Sequence, residues 1–172
     1  MRVSAWLVGA AALAFASAAS AGPVSLAPIS FSPEFQEELN DDLGAREGEY
    51  LRTAVAEAVS AALAEQGATV GAGAPVTVEI SIVDAAPNRP TFQQLVDQPS
   101  LDATRSISIG GAELRAVLRG ASGNVLTEVT TRRYNHSLED IHGAATTWTE
   151  AQRAIRIFAN RVADAYVEHA AH

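Results

Sequence analysis

Two stretches of the chain carry apolar residues at intervals of three and four, the spacing that places side chains on one face of an α-helix. The longer stretch, residues 147–166, begins with Thr147 and Glu150 at the spacing of a capping box, in which each side chain satisfies a free backbone amide of the first turn. A stripe that carries the large rings of Trp148 and Phe158 needs a sheet to cover, so this helix organises our prediction of the fold. The predicted stripe consists of Trp148, Ala151, Ile155, Phe158, Val162 and Tyr166.

A second helical pattern covers residues 47–66 and is richer in small residues. Leu51 begins an apolar repeat that continues to Leu63, and alanines fill the remaining positions of the same face. Because alanine side chains are short, this helix can approach a sheet closely. Gly67 follows at the position that commonly ends a helix. The predicted face consists of Leu51, Ala54, Val55, Ala58, Val59, Ala62 and Leu63.

Three stretches in the middle of the chain follow the strand pattern, in which apolar and polar residues alternate. Residues 76–83 alternate without interruption. In residues 105–119 the apolar positions change from odd to even numbers at Gly110-Gly111. Because side chains on a strand repeat every two residues, that change requires an inserted residue, and we predict a β-bulge at the glycine pair. Residues 124–134 then form the returning strand.

The turn at residues 120–123 sets the predicted register of this hairpin. A turn of that length places Arg115 opposite Glu128 on one face of the sheet and Leu114 opposite Val129 on the other. Opposite charges and apolar side chains both stabilise antiparallel strands when they face each other directly. The pairing of Arg115 with Glu128 is therefore the specific prediction that tests this register.

The amino-terminal segment completes the predicted sheet. Residues 23–31 form a strand that lies at an edge or breaks at Pro28, because proline cannot donate a ladder hydrogen bond. Ser32 and Pro33 then open a short helix that ends near Leu39. The element order β-α-β-β-β-α predicts an α+β fold: a four-stranded, mainly antiparallel sheet with both long helices packed on one face. The opposite face is polar and carries Glu79, Glu113, Arg115, Arg119, Glu128 and Arg132.

Residues 1–21 have the features of a secretory signal peptide. Arg2 precedes an uncharged apolar run over residues 6–16, and Ala19-Ser20-Ala21 suits a signal peptidase. The run is too short to span a bilayer. We therefore expect a single domain over residues 22–172 that is soluble after cleavage, has no membrane anchor, and resides in the periplasm or outside the cell.

Composition excludes several classes of function. The chain of 172 residues contains no cysteine, which removes disulfides, thiol catalysis and thiolate metal sites. It also removes the acylated cysteine of a bacterial lipoprotein. A formal net charge of −8 without a basic cluster argues against binding to nucleic acid.

One polar loop contains residues of the types that bind Zn²⁺: His136, Glu139, Asp140 and His142. Their spacing matches no established metal motif, and a loop of an acidic protein also collects such residues by chance. The chain lacks the Gly-x-Ser-x-Gly motif of a hydrolase nucleophile. We predict no catalytic residue, no metal and no cofactor. The alternative is a small metal-dependent hydrolase that uses His136, Asp140 and His142.

The irregular segment over residues 84–104 is the most distinctive predicted surface. It contains three prolines, a short helical stretch near residues 91–96, and an arginine close to an aromatic ring. Long ordered loops often carry function. We predict that this segment, or the polar sheet face, binds a protein partner or a cell-envelope component. Two alternatives are that Phe92 and Leu95 fold back onto the core, and that the domain carries a lipid, which its alanine-rich helix faces disfavour. The predicted binding residues are Asn88, Arg89, Pro90 and Phe92.

The second half of the chain resembles an uncharacterised group of bacterial envelope proteins, many of which are lipoproteins. The resemblance rests on the run that follows Gly110-Gly111, on the turn at Gly123-Asn124 before the returning strand, and on the terminal amphipathic helix. This chain departs from the group by lacking the lipoprotein cysteine. The resemblance implies a periplasmic α+β domain without an assigned activity or assigned functional residues.

Overall fold

The computed structural model describes residues 22–141 and 146–170. The predicted signal peptide lies outside these ranges. Within them, the strands are β1 (Pro23–Leu26), β2 (Ser30–Phe31), β3 (Thr69–Val70), β4 (Val76–Ala86), β5 (Gly111–Arg119) and β6 (Val125–Tyr134). The helices are α1 (Pro33–Glu38), α2 (Ala45–Glu65), α3 (Phe92–Asp97) and α4 (Thr149–Ala170), with a π-helical turn at Leu39–Leu43 and a 3₁₀ turn at Leu138–Asp140.

The strands form one mixed sheet around β4. β5 and β6 continue from β4 as an antiparallel meander, whereas β1 and β2 pair in parallel with the other edge of β4, and β3 pairs in parallel with β1. The α+β class is confirmed, but the prediction of four strands is wrong because the described part of the chain forms a sheet of six strands. The predicted first strand breaks between Leu26 and Ser30, around Pro28, and Thr69–Val70 adds a short strand that no periodicity indicated.

Helices α2 and α4 lie side by side on one face of the sheet. Their apolar stripes and the even-numbered residues of β4 and β5 form one buried core. The six predicted stripe residues of α4 are all buried, as are Leu51, Val55, Val59 and Leu63 of α2. No helix in residues 22–141 and 146–170 is long and apolar enough to span a bilayer.

The register of the β5–β6 hairpin differs from the prediction by two residues. Arg115 lies opposite Thr130, and Glu128 lies opposite Val117. The turn is longer than predicted, and the register shifts between Leu118 and Arg119. Because a shift of two residues preserves the side-chain faces, Arg115 still reaches Glu128 diagonally, with 2.7 Å between Nη2 and Oε2.

The predicted bulge at Gly110-Gly111 is also wrong. β5 begins at Gly111, so the apolar residues before it belong to a separate irregular segment, and the observed irregularity lies in β4 between Ile82 and Asp84. The glycines are explained by close packing instead. A Cβ atom on Gly111 would lie 2.2 Å from the carbonyl oxygen of Arg133.

Of the two caps predicted at helix starts, one is confirmed and one is absent. Ser32 accepts a hydrogen bond from the amide of Phe35 at 3.1 Å, which confirms the cap of α1. The Thr147–Glu150 capping box is absent, because α4 begins at Thr149 and the carboxylate of Glu150 pairs with Arg153. The Trp148 ring N–H donates to Glu47 of α2 at 2.6 Å.

Candidate functional site

The first of the predicted binding residues is a buried asparagine that joins three parts of the chain. The Asn88 Oδ1 atom accepts a hydrogen bond from the Glu150 amide at 2.9 Å, in the first turn of α4. Its Nδ2 atom donates to the Ser108 carbonyl, and its backbone amide donates to the Thr147 carbonyl. Asn88 is fully buried and so contacts no partner directly. It fixes the segment between β4 and β5 against the start of α4.

Arg89 and Pro90 lie on the same segment with different surroundings. The Arg89 Nη1 atom donates to the Thr104 carbonyl at 2.5 Å, which fastens the beginning of the segment to its end. Pro90 lines an open groove of about 350 Å³ that also contains Leu101, Ile107 and Ile109. We name this feature the α3 groove.

Helix α3 follows directly and is held by polar contacts. Thr91 and Gln94 form a reciprocal capping box, with the Gln94 amide donating to Thr91 Oγ1 at 3.2 Å and the Thr91 amide donating to Gln94 Oε1 at 3.1 Å. The Gln94 Nε2 atom also donates to Asp42 Oδ2 at 2.6 Å, which ties α3 to the π-helical turn. Six residues would be a marginal helix in water without such contacts.

None of the six residues of α3 is buried. Phe92 is 72% exposed and Val96 is 58% exposed, and their separation of four residues places both on the same side of the helix. We name this pair the α3 ridge; Gln94, on the opposite side of the helix, lines the α3 groove. The alternative in which Phe92 and Leu95 fold back onto the core is wrong for Phe92, whereas Leu95 is half-buried. The ridge and the groove together form the α3 surface.

Three carboxylates lie close enough to interact electrostatically, Glu38, Asp42 and Asp84, and Asp42 is the one that binds Gln94 of α3. Partial burial raises the pKa of Glu38, and the negative charges of Asp84 and Asp42 raise it further. The Tyr134 hydroxyl donates a short hydrogen bond to Asp84, and burial, followed by that hydrogen bond, raises the pKa of Tyr134 far above its ordinary value. Tyr134 is therefore the protonated donor in its hydrogen bond with Asp84.

The histidine loop is only partly within the described residues. His136 and Glu139 are exposed, whereas His142 lies outside the described ranges. Among residues 22–141 and 146–170, no group of three or more potential ligands could hold a metal ion. Convergence of His136, Asp140 and His142 therefore stays a prediction.

The polar sheet face neutralises its own charges. Three cross-strand ion pairs cover it: Arg119 with Glu79 at 2.8 Å, Arg115 with Glu128 at 2.7 Å, and Arg132 with Glu113 at 3.0 Å. All six charges predicted for this face take part. The α3 surface differs from this face because it exposes apolar side chains to solvent, and we choose it as the candidate site for a partner protein.

Sequence reasoning missed several residues of the α3 surface. Val96 could have been found from its position four residues after Phe92. Ile107 and Ile109 were assigned to a strand, although both are exposed and line the groove. Asp42 offered no local signal, since it meets Gln94 across a separation of 52 residues.

Comparison with solved structures shows similarity at a low level of sequence identity. The hypothetical protein CT253 from Chlamydia trachomatis has a TM-score of 0.49 at 11% identity, covering 86% of this chain and 99% of that chain. Protein XCC0632 from Xanthomonas campestris has a TM-score of 0.48 at 12% identity, covering 85% and 83%. The PelC dodecamer structure from Paraburkholderia phytofirmans has a TM-score of 0.44 at 10% identity, covering 87% of each chain. Because each of these scores is below 0.5, none carries an argument about function.

A search of the curated proteins finds no significant match. A family model does match, over residues 9–162, which is most of the chain. Its description is "Protein of unknown function (DUF3313)". The chain therefore belongs to the DUF3313 family.

Proposed function

We propose that this protein is an exported, non-enzymatic binding domain of the cell envelope that contacts a protein partner through the α3 surface. The proposed periplasmic or secreted location rests on the signal-peptide features of residues 1–21. The binding role rests on one observation, which is that a helix without a buried residue is fastened to the fold and presents Phe92 to solvent.

The polar contacts that hold α3 support a binding role because they stabilise no part of the hydrophobic core. The capping box and the bond from Gln94 to Asp42 order six residues that bury no side chain of their own. An ordered aromatic side chain binds a partner at a smaller entropic cost than a flexible one. Aromatic residues are also enriched at the centres of protein interfaces.

The shape of the surface favours a protein partner over a small ligand. Pockets for small molecules bury most of their ligand within a concave site. The α3 surface instead combines a convex ridge with a shallow open groove of about 350 Å³. A partner that inserts an apolar side chain into the groove would also contact the ridge.

Site-specific photo-crosslinking in the cells that produce the protein tests this proposal. A benzoylphenylalanine probe in place of Phe92 is expected to yield a discrete covalent adduct with another protein. The same probe in place of Leu138, which is 55% exposed on the 3₁₀ turn, is expected to yield none. Equal adducts from both positions, or none from either, would refute the assignment.

A second substitution in the probe-bearing chain separates specific binding from chance collisions. Val96→Asp adds a charge to the ridge and is expected to abolish the adduct. Val70→Asp, at an exposed apolar residue of β3, is the matched control and should leave the adduct unchanged. Melting curves of both variants verify that the fold is intact.

A further inference from the structure

Within residues 22–141 and 146–170, no strand pairs with the outer edge of β6, the last strand of the sheet. The strand order within the described residues ends at β6, and β6 pairs only with β5. The amide of Asn135 donates to the Gly110 carbonyl at 3.0 Å, so the odd-numbered residues of β6 direct their backbone groups toward β5. The even-numbered residues Glu128, Thr130 and Arg132 consequently direct their amide and carbonyl groups outward. An edge of this kind is a template for another strand.

We propose that this edge pairs with the same edge of a second copy of the chain, antiparallel and with Thr130 on the two-fold axis. In this register Thr130 faces Thr130 of the second copy, and Glu128 faces Arg132 of the second copy. Since these residues are separated by two, each of the three pairs can exchange two backbone hydrogen bonds.

Charge complementarity selects this register. Outward backbone groups occur only on even-numbered residues, so the allowed registers differ by steps of two. Centring the axis on Glu128 places two carboxylates opposite each other, and centring it on Arg132 does the same with two guanidinium groups. Centring it on Val129 or on Thr131 leaves both charged residues opposite neutral ones. Centring it on Thr130 produces two opposite-charge pairs, which stabilise antiparallel strands.

The two new ion pairs would extend the existing network of the polar face. Glu128 already contacts Arg115, and Arg132 already contacts Glu113. Pairing of the two edges joins these ion pairs into one row of alternating positive and negative side chains that runs across both copies. The side chains of Glu128 and Arg132 are 47% and 73% exposed, so both are accessible to a second copy.

Helix α4 contributes to the same side of the molecule. The Arg161 Nη1 atom lies 3.4 Å from the Thr130 carbonyl oxygen, a long contact that confirms the outward direction of this carbonyl. Pairing replaces that contact with a backbone hydrogen bond. Ile157 is partly exposed one helical turn before Arg161 and supplies apolar area beside the edge.

The experiment uses two charge variants, alone and mixed. Glu128→Arg places arginine opposite Arg132 of the second copy, and Arg132→Glu places glutamate opposite Glu128, so each variant alone is expected to dimerise at least about tenfold more weakly than the wild type. In an equimolar mixture every opposing pair is complementary again, and a heterodimer is expected. Sedimentation velocity and native mass spectrometry measure the species.

Dimer formation in the mixture would show that the single variants lose dimerisation through charge at the edge. Mixing cannot repair a variant whose fold is damaged. Phe92→Ser serves as a control outside the edge and should dimerise like the wild type, which keeps this inference separate from the proposed function. A monomeric wild type, dimers that persist in both single variants, or a mixture that stays monomeric would each overturn the proposal.

A single cysteine tests the position of the axis, because the chain contains no other thiol. Facing residues of a hydrogen-bonded pair lie about 5.5 Å apart at Cα, within the range of a disulfide. Thr130→Cys is expected to form a covalent dimer when diamide is added. Thr77→Cys, on the central strand β4, is the matched control and should remain monomeric; equal yields from the two variants would exclude this register.

Discussion

Helices α3 and α4 are held in place by opposite means. α4 buries a stripe that includes Trp148, Phe158 and Tyr166, and its position follows from the hydrophobic effect. α3 has no buried residue and is held by its capping box and by the bond from Gln94 to Asp42. The core explains the residues of α4, whereas nothing in the core requires Phe92 or Val96. This difference is why we assign the binding role to α3.

The largest effect that separates the two helices should come from truncation of their phenylalanines. Phe158→Ala leaves a cavity in the core and should lower the free energy of unfolding by about 3–5 kcal/mol. Phe92→Ala removes a side chain that is mostly in water and should change it by less than about 0.5 kcal/mol. Urea denaturation measures both, and similar losses for the two variants would remove the distinction.

The junction between the two helices should show the next largest effect. Asn88→Ala leaves the buried Glu150 amide and Ser108 carbonyl without their partner and should cost about 1–3 kcal/mol. Gly110→Ala should cost a similar amount, because its Cβ would lie 2.5 Å from the Asn88 side chain. The double variant should be about as stable as Asn88→Ala alone.

A matched glycine controls for the effect of alanine on the backbone. Gly71 has no heavy atom within 4 Å of the position that a Cβ would occupy, and its φ is not positive. Gly71→Ala should therefore be close to neutral. Additive losses in the Asn88→Ala, Gly110→Ala double variant would show that Gly110 does not act through Asn88.

The polar contacts of α3 should strongly affect the local stability of this helix and contribute little to the free energy of unfolding of the whole protein. Gln94→Ala removes half of the capping box and the bond to Asp42, so amide exchange in residues 92–97 should accelerate while the free energy of unfolding falls by less than about 1 kcal/mol. The neighbouring Gln93→Ala keeps both contacts and is the control. Equal exchange in the two variants would mean that Gln94 does not hold the helix.

The smallest expected effect is a pH dependence at Glu38, which directly precedes the π-helical turn that holds α3. The pKa of Glu38 is raised in the folded state, so the unfolded chain ionises first as the pH rises. The stability associated with protonated Glu38 is present at low pH and is lost as the pH rises through the folded pKa. Glu38→Gln should therefore be more stable than the wild type at pH 7 and equal to it near about pH 3.

The magnitude of this difference should stay below about 1 kcal/mol because the Glu38 side chain is largely exposed and solvent screens its charge. Glu37→Gln removes the same charge at an adjacent exposed position and serves as the control. Thermal melts at both pH values measure the difference, and a larger stabilisation by Glu37→Gln would contradict the role given to Glu38.

Periodicity was sufficient where burial determines the structure. The stripe from Trp148 to Tyr166 and the alternation over residues 76–83 each predicted an element and its buried face. Contacts between distant residues were not predictable in this way. Thr69–Val70 forms a strand because it pairs with β1. In the first turn of α4, the Glu150 amide donates a hydrogen bond to Asn88, which lies 62 residues earlier in the chain.

The hairpin shows how a correct face can accompany a wrong register. Alternation determines which residues of β6 face the core, but the turn geometry and the shift between Leu118 and Arg119 determine the partners. The binding role that the composition of residues 84–104 suggested for the segment and Phe92 stays a prediction. The contact between Asp42 and Gln94 was not predictable, because it depends on tertiary structure.

Amide hydrogen exchange of α3 in the isolated protein tests most directly whether this helix is preorganised. The Leu95 amide donates to Thr91 and the Gln98 amide donates to Gln94, at 3.1 and 2.9 Å. We predict that both amides exchange more slowly than in an unfolded chain and that Gln94→Ala removes this protection. Exchange of both amides at the unfolded rate in the wild-type protein would show that Phe92 is not held in place, and would contradict the account.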